Sequence, residues 1–326
     1  MKDDIYFEFK LFYGVLKMNG LKKIWNILTD SDIRFLYFSK HGFYNKKPDK
    51  EYLTRMFSAR MHQKMDWDNP QTYNQKLQWL KLYDRKPIYT IMGDKILVKE
   101  YVSKKIGNEY IIPTIEIWNT PDEIDFENLP KQFVLKCNHN SGIGMCVCKN
   151  KDTLDQDAVK KQLKIGLAQD YYLTLREWPY KNISRKIIAE EYIGDSPKDY
   201  KFFMFNGHMD AVMVCTDRDK GHTRFRFYDK DWNRIYYQKD ELEPQGEVER
   251  PLNYEKMIQI AEILSKGYPH IRVDLYNQNG KIYFGELTLF DQGGFDTDIT
   301  YNTDLKWGKE IDLSMVHFPD KAVENK

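Results

Sequence analysis

The stretch that decides the fold is a hairpin near the end of the chain. It runs Ile271-Arg272-Val273-Asp274-Leu275-Tyr276, turns at Asn279-Gly280, and returns through Tyr283-Phe284-Gly285-Glu286-Leu287-Thr288. Side chains alternate faces along a strand, so Arg272, Asp274 and Tyr276 share one face, as do Glu286 and Thr288 on the returning strand. Val273, Leu275, Phe284 and Leu287 then form the core face. With the turn at Asn279-Gly280, Asp274 and Glu286 lie opposite or diagonal across the ladder. Like charges facing each other are destabilising unless a cation neutralises them. A magnesium ion held by one or two carboxylates suits that arrangement. An exposed strand face with scattered charges fits the same letters.

Three further segments carry polar groups out of apolar runs. Phe133-Val134-Leu135-Lys136 is a short strand that enters Asn138-His139-Asn140-Ser141-Gly142-Ile143-Gly144. A lysine ending a strand before a small-residue loop can bring an ammonium and backbone N–H groups to phosphate oxygens. The order is not that of a Walker A loop, because the lysine precedes the glycines, and a plain hairpin loop is the simpler reading. Met92-Gly93-Asp94-Lys95 predicts a helix from Asp94 to about Ile106, with Asp94 as its cap and Gly107 past its end. Lys95 in a first turn opposes the helix dipole unless it faces an anion. Ile187-Ile188-Ala189-Glu190-Glu191-Tyr192-Ile193-Gly194 reads as a strand meeting two acids and then a hinge-like break.

Around these lie a helical region at 51–85 ended by Pro87, strands at 110–117 and 145–148, a helix at 155–169, and strands at 201–205 and 209–216 joined by Asn206-Gly207. A helix follows at 253–266. Strand pairs, hairpins and single helices indicate an α+β fold and not a parallel sheet of Rossmann type.

Composition removes several classes. Of 326 residues, Lys+Arg number 50 and Asp+Glu 49, a formal net charge of +1 that gives no basic excess for nucleic acid. No apolar run approaches the roughly 18 residues of a membrane span, and the start has no signal-peptide core. The chain therefore reads as cytoplasmic. Four cysteines are too few to staple it. Cys146-Val147-Cys148 has no partner pair at zinc spacing and reads as buried thiols. Residues 1–48 are basic and aromatic, with Lys10, Lys17, Lys22, Lys23 and Trp25, and suit short amphipathic helices broken and capped at Asp30-Ser31-Asp32. They are compatible with packing on the body and with contact to a membrane surface, which would place the protein at the inner membrane.

In order along the chain, these segments resemble the ATP-grasp superfamily, and more closely the TupA-like family of teichuronopeptide biosynthesis, linked to bacterial cell-surface polysaccharides. The match is carried by Thr72-Tyr73-Asn74-Gln75-Lys76-Leu77-Gln78-Trp79-Leu80-Lys81, Asp94-Lys95-Ile96-Leu97-Val98-Lys99-Glu100-Tyr101-Val102 and Leu129-Pro130-Lys131-Gln132-Phe133-Val134-Leu135-Lys136. It continues through Asp199-Tyr200-Lys201-Phe202-Phe203, Arg272-Val273-Asp274-Leu275-Tyr276 and Gly285-Glu286-Leu287-Thr288.

The resemblance implies two α+β lobes clamping ATP, preceded by a helical N-terminal extension. The implied division is an extension at 1–50, a helical region at 51–130, a small lobe at 131–193 and a large lobe at 194–326. It implies Lys95, Lys136 and Lys201 at the nucleotide, Asn140, Ser141 and Gly142 closing over phosphates, and Glu190 with Glu191, Tyr192 and Ile193 at adenine. Asp274 and Glu286, with Thr288 nearby, would hold Mg²⁺; Arg272 and Lys136 would be catalytic. The implied reaction is ATP-dependent joining of a carboxylate to an amine through an acyl phosphate. The acceptor would be a uronic acid of a glycan or lipid-linked glycan and the donor an amino acid or amino sugar. Arg218, Arg224 and Arg226 are candidates to recognise the acceptor anion, and equally suit an ordinary strand surface.

The sequence departs from the resemblance at Thr288, where many relatives carry Asn, and at Leu289-Phe290-Asp291-Gln292-Gly293-Gly294-Phe295. Asp291 there either completes the metal set or belongs to a diverged acceptor pocket. Phosphoryl transfer to a sugar hydroxyl, glycosyl transfer and a non-catalytic nucleotide module are the alternatives. The DxD-like matches for glycosyl transfer are Asp217-Arg218-Asp219, Asp229-Lys230-Asp231 and Asp296-Thr297-Asp298.

Overall fold

The computed structural model describes residues 20–195, 197–216 and 223–316. In chain order the helices are α1 (Gly20–Thr29), α2 (Ser31–Lys40), α3 (Asp49–Met61), α4 (Tyr73–Tyr83), α5 (Pro87–Gly93), α6 (Leu97–Ile106), α7 (Gln156–Ala168), α8 (Tyr172–Leu175), α9 (Tyr254–Ser265) and α10 (Tyr301–Glu310). The strands are β1 (Thr114–Trp118), β2 (Phe133–Cys137), β3 (Met145–Cys148), β4 (Ile187–Glu191), β5 (Lys198–Phe205), β6 (His208–Thr216), β7 (Arg224–Tyr228), β8 (Arg234–Ile235), β9 (His270–Gln278) and β10 (Lys281–Thr288). They form a four-stranded sheet in the order β1-β4-β2-β3 and a six-stranded sheet in the order β10-β9-β5-β6-β7-β8. Every strand pairing within these two sheets is antiparallel, as the hairpin signals predict.

The alternation of apolar and polar residues sorts each sheet into a core face and a working face. In the small sheet Phe133, Leu135, Ile187 and Ala189 are fully buried beside Leu163 of α7. Cys146 and Cys148 are buried and free, as the alternation predicts. In the large sheet Phe202, Val273 and Leu275 pack in one cluster with Tyr254, Met257 and Leu264 of α9. Trp307 of α10 stacks on Phe203 with ring centroids 4.5 Å apart. Burying such side chains is the dominant stabilising term, about 1.5–3 kcal/mol each.

The helical N-terminal half differs from expectation in two places. The region at 51–85 is two helices, α3 and α4, and α4 begins at a capping box in which Thr72 and Gln75 satisfy each other's backbone groups. Pro87 does not end a helix but opens α5, because proline at a first helical position loses no intrahelical bond. Likewise α6 begins at Leu97, and Asp94 caps the turn ahead of it, accepting from the Ile96 and Leu97 amides at 2.8 and 3.4 Å. Asp30 caps α2 as expected, bonding the Asp32 and Ile33 amides. The core between α2 and α3 includes Leu175 and Phe295, so these helices pack on segments that border the cleft described below. Among the described residues no helix is long and apolar enough to cross a membrane.

Candidate active site

The hairpin β9–β10 pairs Asp274 directly with Glu286 and Arg272 with Thr288. A bulge at Gly285 makes that register. A Cβ at this position would lie 3.0 Å from the Asp274 carbonyl and 3.3 Å from the Tyr276 ring, so the strands approach this closely only over glycine. On the other side of β9, Lys201 of β5 stands opposite Asp274 and Asp199 opposite Tyr276. Arg272 gathers the group. Its guanidinium donates to both oxygens of Asp274 at 2.7 and 2.8 Å, to Glu286 at 2.8 Å and to the Thr288 hydroxyl at 3.1 Å. It also pairs with Asp291, which arrives from the turn after β10. Lys201 pairs with Asp199 at 2.9 Å and with Asp274.

Four carboxylates thus meet two cations, a local formal charge of minus two. The titration directions follow. Burial, with Glu286 and Asp199 nearby, pushes the Asp274 carboxyl above its ordinary value against Arg272 and Lys201. Burial also opposes charge on Glu286, but Arg272, Lys201 and Lys95 outweigh it and hold that carboxyl well below the usual range.

The facing bank comes from β2, β4, α6 and the turn ahead of α6, and has the opposite sign. Lys136 ends β2 and pairs with Glu190 of β4 at 2.5 Å, while Lys99 of α6 takes the other Glu190 oxygen at 2.7 Å. Burial would raise the Glu190 carboxyl, and the two lysines hold it low. The Lys95 ammonium donates to the Asn140 carbonyl. Burial lowers its pKa, which Glu286 across the cleft partly offsets. Three lysines and one glutamate leave this bank at plus two.

Asn138 and Asn140 lock the loop between β2 and β3. Asn138 donates to Asp94 at 3.0 Å and to the Ser184 carbonyl at 2.9 Å, and accepts from the Lys186 amide at 2.7 Å. Asn140 donates to the Gly166 carbonyl and to Gln169 at 3.2 and 3.1 Å. Ser141 and Gly142 remain at the cleft.

Lys95 and Lys136 of the cationic bank and all of the acidic bank line one cavity, whose remaining wall includes Tyr171, Glu177, Tyr180, Phe290 and Gln292. Tyr171 and Tyr180 meet edge to face at 4.7 Å. Lys81 of α4, fully buried, ties two parts of that wall together by donating to the Leu175 carbonyl at 2.9 Å and to the Gly293 carbonyl. Burial lowers its pKa to about 7.

The sequence expectations divide accordingly. Lys95, Lys136, Ser141, Gly142, Lys201, Arg272, Asp274, Glu286 and Thr288 converge on the cavity, as does Asp291. The Asp291 carboxylate is buried against Arg272. The Asn140 side chain turns inward to α7, so only its backbone serves the cleft. Glu190 is buried between its lysines, and Glu191 is exposed at the end of β4. Tyr192 and Ile193 follow, half-buried.

Two substrate candidates lie off the cavity. Phe225 lines the cavity, so alternation puts Arg224 and Arg226 on the opposite face of β7. Arg226 there is consumed by the Gly246 and Gln245 carbonyls and the Thr216 hydroxyl. Arg218 lies outside the described residues, as does the first DxD match. The other two are turn caps. Asp229 accepts from the Asp231 and Asn233 amides, and Asp296 from the Asp298 and Ile299 amides.

Sequence reasoning missed Lys99, Asp199, Glu177 and the tyrosine pair as site residues. Lys99 stands on α6 whereas Lys95 lies in the turn ahead of it, so their spacing carried no signal. Asp199 and Lys201, two apart on a strand, did carry one.

The donor set suits a hard divalent cation, since it offers carboxylate and hydroxyl oxygens and carries two formal charges in excess. Asp274 has both oxygens tied to Arg272, whereas the Glu286 side chain is 46% exposed, so Glu286 is the more available ligand. The lysine bank suits phosphate in the same way.

No protein of curated function matches the chain in sequence. Solved structures are similar over part of the chain. A D-alanine–D-alanine ligase from Bacillus anthracis complexed with ATP has 16% identity and a TM-score of 0.41, covering 69% of this chain and 63% of its own. The D-alanine–D-alanine ligase from Helicobacter pylori has 16% identity and a TM-score of 0.36, covering 74% and 69%. The ATP-grasp ligase PsnB, complexed with minimal precursor, Mg and ADP, has 11% identity and a TM-score of 0.36, covering 76% and 64%. The chain therefore spans less than two thirds of the first of these. The sequence model of the TupA-like ATP-grasp family matches residues 75–312, which take in both sheets and every residue of the two charged banks. With its lysine strand, its Glu190-Glu191 strand and its hairpin in that order, the chain belongs to the TupA-like ATP-grasp family.

Proposed function

We propose that the protein is an ATP- and Mg²⁺-dependent carboxylate–amine ligase that acts through an acyl phosphate, on a uronic acid of a bacterial cell-surface polysaccharide or its precursor. The observation that carries the reading is the pair of oppositely charged banks across one cleft. A nucleotide would lie between a small lobe built on 131–193 and a large lobe on 194–326. Lys95 and Lys136 would draw its phosphates to the cationic side, with the Ser141 and Gly142 backbone closing over them. Backbone groups of Glu191 to Ile193 would meet the adenine edge, and Glu190 would set its polarity from behind. Mg²⁺, held by Glu286 and Asp274 with Thr288 beside them, would supply charge neutralisation at the transferring phosphoryl group.

In the first step a substrate carboxylate oxygen bonds to the γ-phosphorus, and the bond to ADP breaks. In the second the amine nitrogen bonds to the acyl carbon, phosphate leaves with the electrons of its C–O bond, and the amine proton passes to solvent. Arg272 would stabilise the tetrahedral oxyanion of the second step. Exclusion of water between the lobes would protect the acyl phosphate. The wall of Tyr171, Tyr180, Glu177 and Gln292 supports a sugar acceptor, because it offers aromatic rings to the sugar's C–H groups and polar groups to its hydroxyls.

Product analysis tests the reaction class. Purified protein is given ATP, Mg²⁺, a uronic acid glycan and a panel of amines. ADP and free phosphate released only when carboxylate and amine are both present is the expected result. ADP without free phosphate would replace the ligase by a phosphotransferase. A nucleoside diphosphate released from a sugar nucleotide would replace it by a glycosyltransferase. ATP binding without turnover would leave a nucleotide-binding module.

A further inference from the structure

The described structure opens with a helix whose outward face is apolar. Ile24, Trp25 and Leu28 of α1 are 57%, 66% and 67% exposed. Positions 24, 25 and 28 fall on one side of a helix of 3.6 residues per turn. The helix is fixed in this attitude by its other end. Arg34 of α2 donates to the Ile27 and Leu28 carbonyls at 3.3 and 3.0 Å, and the Asp30 amide bonds the Asn26 carbonyl at 2.9 Å. Asn26 and Ile27 are half-buried on the inward side. The stripe is therefore held out from the body and not folded under it.

Charge selects the occupant. From Phe9 to Thr29 the sequence carries Lys10, Lys17, Lys22 and Lys23 and no Asp or Glu. This contrasts with the near balance of the whole chain, Lys+Arg 50 against Asp+Glu 49. A tryptophan with flanking aliphatics and lysines alone suits the boundary of a bilayer with anionic headgroups. The apolar side chains enter the acyl edge, and a lysine-bearing segment favours anionic headgroups over neutral ones. The ten residues of α1 reach about 15 Å, half of a hydrocarbon core, so the helix lies on the surface and does not cross it.

We propose that the Ile24–Trp25–Leu28 face of α1 is a docking surface for an anionic lipid bilayer. The proposal is independent of the reaction assigned above.

The test is sedimentation of the full chain with phosphatidylglycerol-containing vesicles and with pure phosphatidylcholine vesicles. Binding to the first at least tenfold stronger than to the second is expected. It should be lost at about 1 M salt, where the Debye length is about 3 Å. The triple substitution Ile24→Glu, Trp25→Glu, Leu28→Glu and the pair Lys22→Glu, Lys23→Glu should each lower the bound fraction about tenfold. An unchanged melting temperature and ATP turnover in free solution would show that the variants are folded. Equal sedimentation of the triple variant and the natural chain would overturn the proposal. So would a concentration-dependent dimer abolished by the triple variant with no vesicle binding, which makes a second copy the occupant. Vesicle binding that appears only after deletion of residues 1–19 would overturn it too, by showing that this segment covers the face. An inactive protein that still sediments with anionic vesicles would count against the ligase reading alone.

Discussion

The two banks of the cleft are built from the same kinds of residue in opposite proportion. On one side Lys99 and Lys136 pair with Glu190, with Lys95 close by; on the other Asp199, Asp274, Glu286 and Asp291 surround Arg272 and Lys201. Each bank holds its minority charge at its centre, which keeps like charges from meeting unscreened in a buried site. Each is nevertheless left two units out of balance, and the imbalances cancel across the gap. A near-neutral chain can thus hold a strongly polarised cleft. The cationic side is matched to phosphate and the anionic side to a divalent cation.

The sharpest way to break this comparison is to remove one charge from each bank. Glu286→Gln and Lys136→Ala should each lower ATP turnover by about 10²–10³-fold, the usual loss for a preorganised electrostatic group. They should differ in what they lose. Without nucleotide, Mg²⁺ should raise the melting temperature of the natural chain and of Lys136→Ala but not of Glu286→Gln. Without metal, ATP should stabilise Glu286→Gln but not Lys136→Ala. Identical loss of both responses in both variants would mean that the banks are not separate sites.

The floor of the acidic bank gives the next largest effect. His270, two residues before Arg272, is buried with Nδ1 3.0 Å from the Met204 carbonyl and Nε2 3.0 Å from the Tyr73 hydroxyl. The carbonyl can only accept, so Nδ1 carries the proton and Nε2 accepts from Tyr73. Burial, with Arg272 nearby, lowers its pKa to about 3. The unfolded chain, with an ordinary histidine near 6.5, therefore binds this proton first as pH falls. The contribution is complete above pH 6.5 and is lost on acidification towards pH 3. Between pH 6.5 and 4 the cost should be about 3 kcal/mol. Urea unfolding of the natural chain and of His270→Gln at both pH values would show it, because the variant should lack this component. Equal pH dependence in the two would refute a neutral floor.

The smallest effect is expected on the far face of the large sheet. Arg224→Ala should change turnover by less than about twofold, as surface substitutions usually do. Arg226→Ala should cost about 1–3 kcal/mol of stability through the acceptors it leaves bare, with turnover per folded molecule preserved. A large rise in acceptor KM for either would put the anion-recognising groups back on β7.

Much of the cleft was legible because its elements are local. The hairpin through Asn279-Gly280 specifies strand pairing, and period-two alternation specifies which side chains share a face. The strand lysine and the loop after it could be read in the same way. For the arginines of β7, alternation says which residues share a face but not which face meets the cavity. That depended on Phe225 pointing into the cavity. Asp291 was ambiguous because it follows the last strand, where no periodicity applies, and its turn runs through Gln292 and Gly293 at φ 50 and 59. Lys99 and Glu177 had nothing in their own segments to mark them, since their partners come from elsewhere in the chain.

The sequence by itself determined the α+β class, the order of the lysine strand, the Glu190-Glu191 strand and the hairpin, and that Asp274 and Glu286 lie opposite or diagonal across that hairpin. These rest on propensity, turn chemistry and side-chain alternation, which act over a few residues. Only the tertiary structure decided that Lys99 and Lys136 share Glu190, that Arg272 draws three carboxylates together, and that Lys81 of α4 ties down the cleft wall from beneath. Those contacts join residues far apart in the chain. Their energies depend on burial and on the combined field of several elements, and no single segment carries that information.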